Sequence, residues 1–300
     1  MSVVELVDLF GNVGYQAIEL NHASEVIIKM KENKAKIFLT FTSNMVTSGL
    51  RGFFAQLIKL KMVDIIVTTS ASIEEDLMKA MGENIEITNF NVDDIQMREK
   101  GENRIGNLLI RNESYMKFED IMNEHLKKIY SKKKRIDASE LLKELGLMIK
   151  DENSILYQAA KNNVPIFCPG IADSAIGFHL FMFQQKNNDF VVDVIDDVKN
   201  IIVASSYDEK KGLISLGGSI SKHYAIFSGL LNGGFDYVVY MTTSNESSGS
   251  MSGASTREAM SWGKIKDDAE AATVKGDVTI TFPIAMIHAL EKLREKKLII

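Results

Sequence analysis

The chain predicts an α/β fold: a doubly wound, mostly parallel sheet with helices on both faces and a helical segment at the N-terminus. Three observations carry this. Short apolar, β-branched runs alternate with helical stretches from about residue 36 onward. The polar and Gly/Ser-rich segments mostly fall directly after those runs, where open α/β sheets bind ligands. The composition is that of a globular chain, with 45% hydrophobic residues, 25% charged residues and three prolines in 300. No repeat, low-complexity linker or composition break divides the chain, so residues 1–300 are expected to form a single domain.

Val3 to Phe10 and Asn21 to Lys31 have helical spacing and polar faces, with Gly11 and Gly14 breaking the pattern between them. Lys36 to Thr42 (KIFLTFT) reads as a buried strand. It feeds Ser43-Asn44-Met45-Val46-Thr47-Ser48-Gly49 and then a helix to about Lys61. Small polar residues between a strand and a helix N-terminus suit a phosphate. Without a GxGxxG fingerprint, an ordinary strand–helix turn fits equally well. Asp64 to Thr69 (DIIVTT) repeats the arrangement, leading into Ser70-Ala71-Ser72 and a helix that begins near Glu74 and Glu75. Two acids in a first helical turn complement the dipole, and they could equally face a polyamine.

Residues 84–114 have no clear period and read as loop with short elements. Tyr115 to Tyr130, Asp137 to Lys150 and Ser154 to Asn162 read as helices, and the Lys/Arg-dense run from Lys127 to Arg135 as a solvated face. Val164 to Cys168 is a short strand opening into PGIADS, a loop that positions Asp173. Phe190 to Val198 and Asn200 to Ser205 are apolar and β-branched, with Asp193, Asp196 and Asp197 interspersed. Gly212 to Leu216 is a strand ending in Gly217-Gly218-Ser219, where paired glycines let backbone amides approach a ligand. Lys222 and His223 follow on a helical run; a lone histidine is more often structural than catalytic. Tyr237 to Thr243 is a strand, Val278 to Phe282 is read as the last strand, and Pro283 as the N1 residue of a C-terminal helix.

The net charge of −5 argues against a general nucleic-acid binder. The one cysteine, Cys168, rules out an internal disulfide framework and a cysteine-built zinc site, and suggests a reducing, intracellular compartment. The first residues carry acids and lack a basic, apolar signal pattern. No apolar run approaches a membrane span.

The stretch with most chemistry is Asn245 to Lys264, NESSGSMSGASTREAMSWGK, which holds the only tryptophan, Trp262. Its first half is a flexible Ser/Gly run suited to wrapping a ligand. Ser255 and Glu258 make a capping-box pattern, Glu258 and Trp262 share a helix face, and Gly263 supplies a stop. Lys264 follows, beside an indole and near a carboxylate. Desolvation there would leave a neutral amine able to attack a carbonyl or imine. A solvated lysine at a helix end is the plainer alternative.

The wording SWGK after a Ser/Gly loop resembles the active-site segment of deoxyhypusine synthase. The resemblance extends to TSNMVTSGLR (Thr42–Arg51), KMVDIIVTTSASIEEDLMK (Lys61–Lys79), NRIGNLL (Asn103–Leu109), YMKFED (Tyr115–Asp120), VPIFCPGIADSAIG (Val164–Gly177), LGGSISKHY (Leu216–Tyr224) and DYVVYMTT (Asp236–Thr243). It covers nearly the whole chain in one order. It implies a cytoplasmic homotetramer of Rossmann-like subunits with interface active sites. The implied reaction is NAD-dependent oxidation of spermidine, capture of the butylimine by a lysine, and transfer to a lysine of translation initiation factor 5A. By resemblance, Lys264 is the imine-forming nucleophile and His223 a base or hydrogen-bond partner. Glu75 and Glu258 hold the polyamine, with Trp262 as an aromatic wall. NAD contacts fall to Ser43, Asn44, Thr47, Thr69, Ser70, Ala71, Glu74, Asp173, Gly217, Thr243, Ser244, Asp277 and Val278.

Departures from the family pattern matter. Family acids are replaced at Ser248, Met251 and Phe178, the TTAGG-type turn reads TTSAS, and the family's N-terminal extension is expected to be mostly absent. Fewer carboxylates weaken the expectation for a tricationic amine. Two further readings therefore stand beside deoxyhypusine synthesis: aminobutyl transfer to a small amine, as in homospermidine synthesis, and a non-catalytic regulatory paralogue. Joint retention of Lys264, His223, Glu75 and Glu258 argues against the last.

Overall fold

In the computed structural model, which describes residues 1–299, six strands form the main sheet. They are β1 (Lys36–Thr40), β2 (Ile65–Val67), β3 (Ile166–Phe167), β4 (Lys211–Leu216), β5 (Phe235–Thr242) and β6 (Ile265–Lys275). All neighbours run parallel, in the spatial order β3-β2-β1-β4-β5-β6. The chain winds outward from β1 through β2 to β3, crosses back to the other side of β1, and winds outward again. This is the doubly wound order, with its switch point between β1 and β4. There Thr40 lies opposite Ser215, and its hydroxyl donates to Ser215 Oγ at 2.9 Å, so two buried hydroxyls satisfy one another.

Successive strand residues face opposite sides of the sheet, and this splits the apolar runs into two cores. Ile37, Leu39, Ile66, Ile214, Val239 and Met241 belong to one. Phe38, Ile65, Val67, Leu213, Val238 and Tyr240 belong to the other, with Ala225 and Ile226 of helix Ser219–Leu231 and Ala259 of helix Thr256–Ser261. The N-terminal segment is helical as expected, Val3–Phe10 followed by Gln16–Glu32. Ser2 and Glu5 form a reciprocal capping box at its start. Asp8 pairs with Lys292 at 2.9 Å and Ser24 Oγ donates to Ala285 O, fastening this segment to the C-terminal helix.

Residues 84–114 do hold short elements: a three-stranded antiparallel sheet of Glu86–Ile87, Glu102–Ile105 and Leu108–Arg111, the last in the middle. Gly106 at φ +62° makes the turn between the latter two.

Four local expectations are corrected. Val278 to Phe282 is not a strand, and Pro283 does not open a helix. One helix runs Val278–Glu295 with Pro283 inside it, and Asp277 caps it by accepting from Thr279 N at 2.8 Å. Val278, Phe282, Ala285, Met286 and Ala289 are buried at helical spacing, while the interleaved threonines imitate a strand's alternation. The proline costs about 3 kcal/mol in a helix interior; packing such as Phe282 stacked on Phe54, centroids 5.6 Å apart, offsets it. The last strand is instead β6, whose Asp267, Asp268 and Glu270 disguise it. It is an edge strand, where charge discourages pairing with other chains. The 190–205 segment divides into strand Val191–Asp193 and helix Asp196–Val203, because the Asp193 carboxylate accepts from Ile195 N and Asp196 N and starts the helix. Finally, the helix carrying Glu74 and Glu75 begins at Ser70, so both acids lie in its second turn, and both are buried.

Candidate active site

The geometry around Lys264 is set by how one short helix stops. Ser255 Oγ accepts from Glu258 N at 3.3 Å and caps helix Thr256–Ser261. At the other end Gly263, at φ +69°, donates to Met260 O at 2.8 Å, and Lys264 N donates to Ala259 O at 3.0 Å. These two bonds close a Schellman motif with glycine in the left-handed position. Lys264 O then accepts from Phe235 N, the first residue of β5, at 3.1 Å. The lysine backbone is thus pinned between a helix end and the sheet. Its side chain is 8% exposed, with Nζ 5.0 Å from the centroid of the Trp262 ring. No carboxylate lies within ion-pair distance of it among the described residues.

Lys264 lines a cavity of about 210 Å³ together with Lys222, His223, Tyr240, Met251, Glu258 and Trp262. Burial, and then the neighbouring Lys264 charge, hold the His223 imidazole below its ordinary value. It is therefore neutral near pH 7 and able to take a proton. Glu258 is the one carboxylate in the lining. The Ser/Gly segment forms the cavity's upper wall through Met251, Ala254 and Ser255.

Two contributors escaped the sequence reading. Lys222 is 1% exposed; its Nζ donates to Met251 O and Ala254 O, each at 3.0 Å, and lies 3.7 Å from the centroid of the Tyr240 ring. Burial, with the Lys275 charge second, lowers it to about 8. The buried Tyr240 hydroxyl has no hydrogen-bond partner among the described residues. The available signal was the adjacency of Lys222 to His223 in LGGSISKHY. Its burial depends on a loop some thirty residues later, which no local pattern reveals.

Glu75 is not in this cavity. It is 5% exposed on the helix after β2, with Thr47 Oγ1 2.6 Å from its Oε2. Burial raises its carboxyl to about 7, the Thr47 hydrogen bond opposing and the Glu74 charge adding to the rise. Burial also raises Glu74, whose Oε1 accepts from Ile176 N at 3.2 Å.

The thirteen residues expected to contact a cofactor all lie past the C-terminal ends of the parallel strands. Ser43, Asn44 and Thr47 follow β1; Thr69, Ser70, Ala71 and Glu74 follow β2; Asp173 follows β3; Gly217 follows β4; Thr243 and Ser244 follow β5; Asp277 and Val278 follow β6. Thr47 Oγ1 lies 2.8 Å from Ser43 O, and Ser244 O accepts from Lys275 Nζ at 2.7 Å. Gly217, just past β4, and Gly49, in the helical segment Val46–Leu50 after β1, have positive φ and no atom within 4 Å of where a Cβ would stand. Gly218 differs from expectation: a Cβ there would stand 2.2 Å from Ser252 Cα, so its bareness admits the Ser/Gly loop instead of a ligand. None of the thirteen lines the Lys264 cavity. Lys264 precedes β6, whereas they follow the strands.

An open parallel sheet wound twice from β1, with polar loops along its C-terminal edge, defines a Rossmann-like α/β protein. The family model for deoxyhypusine synthase matches residues 5–289. A relative from Thermoplasma acidophilum, named a probable deoxyhypusine synthase, is 38% identical over 94% of this chain and 91% of its own. One from Schizosaccharomyces pombe with the same name is 36% identical over 97% and 88%. Among solved structures, a deoxyhypusine synthase candidate from Entamoeba histolytica superposes with a TM-score of 0.69 at 26% identity, covering 97% of this chain and 94% of that one. The AgrE ternary complex with ornithine and NAD+ shares the fold at 14% identity and a TM-score of 0.58, over 34% of its length. This chain belongs to the deoxyhypusine synthase family, a family of transferases.

Proposed function

We propose that this protein transfers the aminobutyl group of spermidine, through an imine on Lys264, to a lysine of translation initiation factor 5A, with NAD as its cofactor. The carrying observation is the buried, unpaired Lys264 amine, fixed by the Gly263 turn inside a cavity with Glu258, His223 and Trp262. A primary amine sheltered from water and free of a counter-ion is what imine formation requires. In this reading Glu258 holds the ammonium of the entering amine. Trp262 offers its face to the aliphatic or cationic chain. His223, neutral near pH 7, accepts the proton that the amine loses.

By resemblance, the polar residues that follow the strands, among them Ser43, Thr69 and Gly217, would hold a dinucleotide at the strand C-terminal ends, where open α/β sheets bind ligands. NAD bound there would supply a hydride acceptor for the amine and a hydride donor for the transferred imine. Glu75, buried beside Thr47, would favour a cationic partner once ionised. The family resemblance implies a homotetramer with active sites at the subunit interfaces. A cytoplasmic setting is what the family resemblance implies; among the described residues no helix is long and apolar enough to cross a membrane.

Transfer to a small amine is the second reading. It is favoured by a cavity with one carboxylate, Met251 in its wall, and Phe178 57% exposed where the family has an acid. Labelled spermidine supplied with NAD, with and without the host's initiation factor 5A, separates them. Label on the factor supports the first reading, label only in a small polyamine the second, and no NAD-dependent consumption of spermidine overturns both.

A further inference from the structure

We propose that Lys222 is a positioning residue: it clamps residues 251–254 down as a lid over Lys264. Its ammonium is enclosed on three sides, by Met251 O, by Ala254 O and by the face of Tyr240. A buried cation normally finds a carboxylate. This one has none within ion-pair distance among the described residues, and its hydrogen bonds go to two carbonyls of the same loop. Those carbonyls belong to Met251 and Ala254, which both line the cavity, so the clamp and the cavity wall are one piece of chain.

The seat for this loop is built from both sides. Gly218 and Lys222 are one helical turn apart at the start of helix Ser219–Leu231. Gly218 accepts the loop sterically, its missing side chain leaving room for Ser252, while Lys222 reaches across to the residues on either side. Gly253 completes the fit, since a Cβ there would stand 2.0 Å from Asn245 O. The outer part of the loop, Asn245 to Ser250, is exposed and short of packing, so it is free to lift. Lifting strips Lys222 of both acceptors and admits an amine to Lys264. Closing returns them and shuts water out, which imine chemistry needs.

The inference rests on Lys264 being the reactive amine, but its first readout does not. Two full-length variants, Lys222→Met and Gly218→Ala, disturb the seat from opposite sides. Limited proteolysis within residues 244–250 should become roughly a hundredfold or more faster in Lys222→Met, the effect of losing two hydrogen bonds to a charged donor, and faster also in Gly218→Ala, where the added methyl displaces Ser252. Reductive alkylation of Lys264 by butyraldehyde and borohydride, followed by peptide mapping against the exposed Lys100, should rise in parallel. In turnover assays KM for the amine should rise more than kcat falls. Unchanged proteolysis and unchanged Lys264 labelling in both variants would overturn the proposal, as would a loss confined to kcat. If spermidine proves not to be a substrate, the proteolysis and labelling results still decide whether Lys222 holds the lid.

Discussion

Replacing Glu75 with glutamine tests the electrostatics of the strand-end edge directly. The carboxyl is buried on the helix after β2, its Oε2 bonded to Thr47, and burial raises it from the usual 4.5 to about 7. A raised acid binds its proton more tightly in the folded chain than in the unfolded one. Stability from this group is therefore greatest at low pH, falls as pH rises from about 4.5 to 7, and stays low above that. The rise corresponds to roughly 3 kcal/mol. Glutamine imitates the neutral carboxyl, keeps an acceptor for Thr47 and never ionises. Glu75→Gln should thus match the wild type near pH 4 and exceed it by about 3 kcal/mol near pH 8. Urea unfolding at both pH values, followed by circular dichroism, measures the difference. Adding a polyamine near pH 8 should stabilise the wild type more than the variant, because an ionised Glu75 gains a cationic partner. A wild type and variant that differ equally at both pH values would refute the burial argument.

Other outcomes follow from the same geometry. Lys264→Arg should abolish transfer and leave cofactor binding intact, since a guanidinium stays charged and cannot form the imine; single-turnover label transfer and a cofactor titration check both halves. Gly263→Ala has room for its methyl, the nearest atom being Leu230 Cδ1 at 3.7 Å, so its cost is conformational, about 1 kcal/mol in thermal unfolding. It should lower kcat as well, by displacing the lysine. Arg51 Nε lies 2.5 Å from Asp76, whose carboxylate also accepts from Ser154 Oγ and the amides of Ile155 and Leu156. Asp76→Ala should cost about 2–6 kcal/mol in chemical denaturation, because it leaves the buried helix-start amides of Ile155 and Leu156 unpaired, while Asp151, 2.7 Å from Arg51 Nη2, still holds the guanidinium.

Much of this protein was legible without coordinates because its signals are local. β1, β4 and β5 are apolar runs bounded by turn residues, and the helix ahead of Lys264 carries its own start in Ser255 and its stop in Gly263. Each depends on neighbours within a few residues, which is the range over which propensity and capping act. The sequence therefore determined the α/β class, the position of the polar loops after the strands and the family. Tertiary structure decided what depends on distant partners. β6 is a strand because β5 pairs with it, against its own charged composition. Val278–Glu295 is one helix because its apolar stripe packs on Phe54 and the N-terminal segment. Gly218 serves a loop that returns over thirty residues later, and Lys222 is buried by that same return. Folding also placed Lys264 and Glu258 in one cavity and Glu75 elsewhere, a separation set by strand order, which no pattern along the chain encodes.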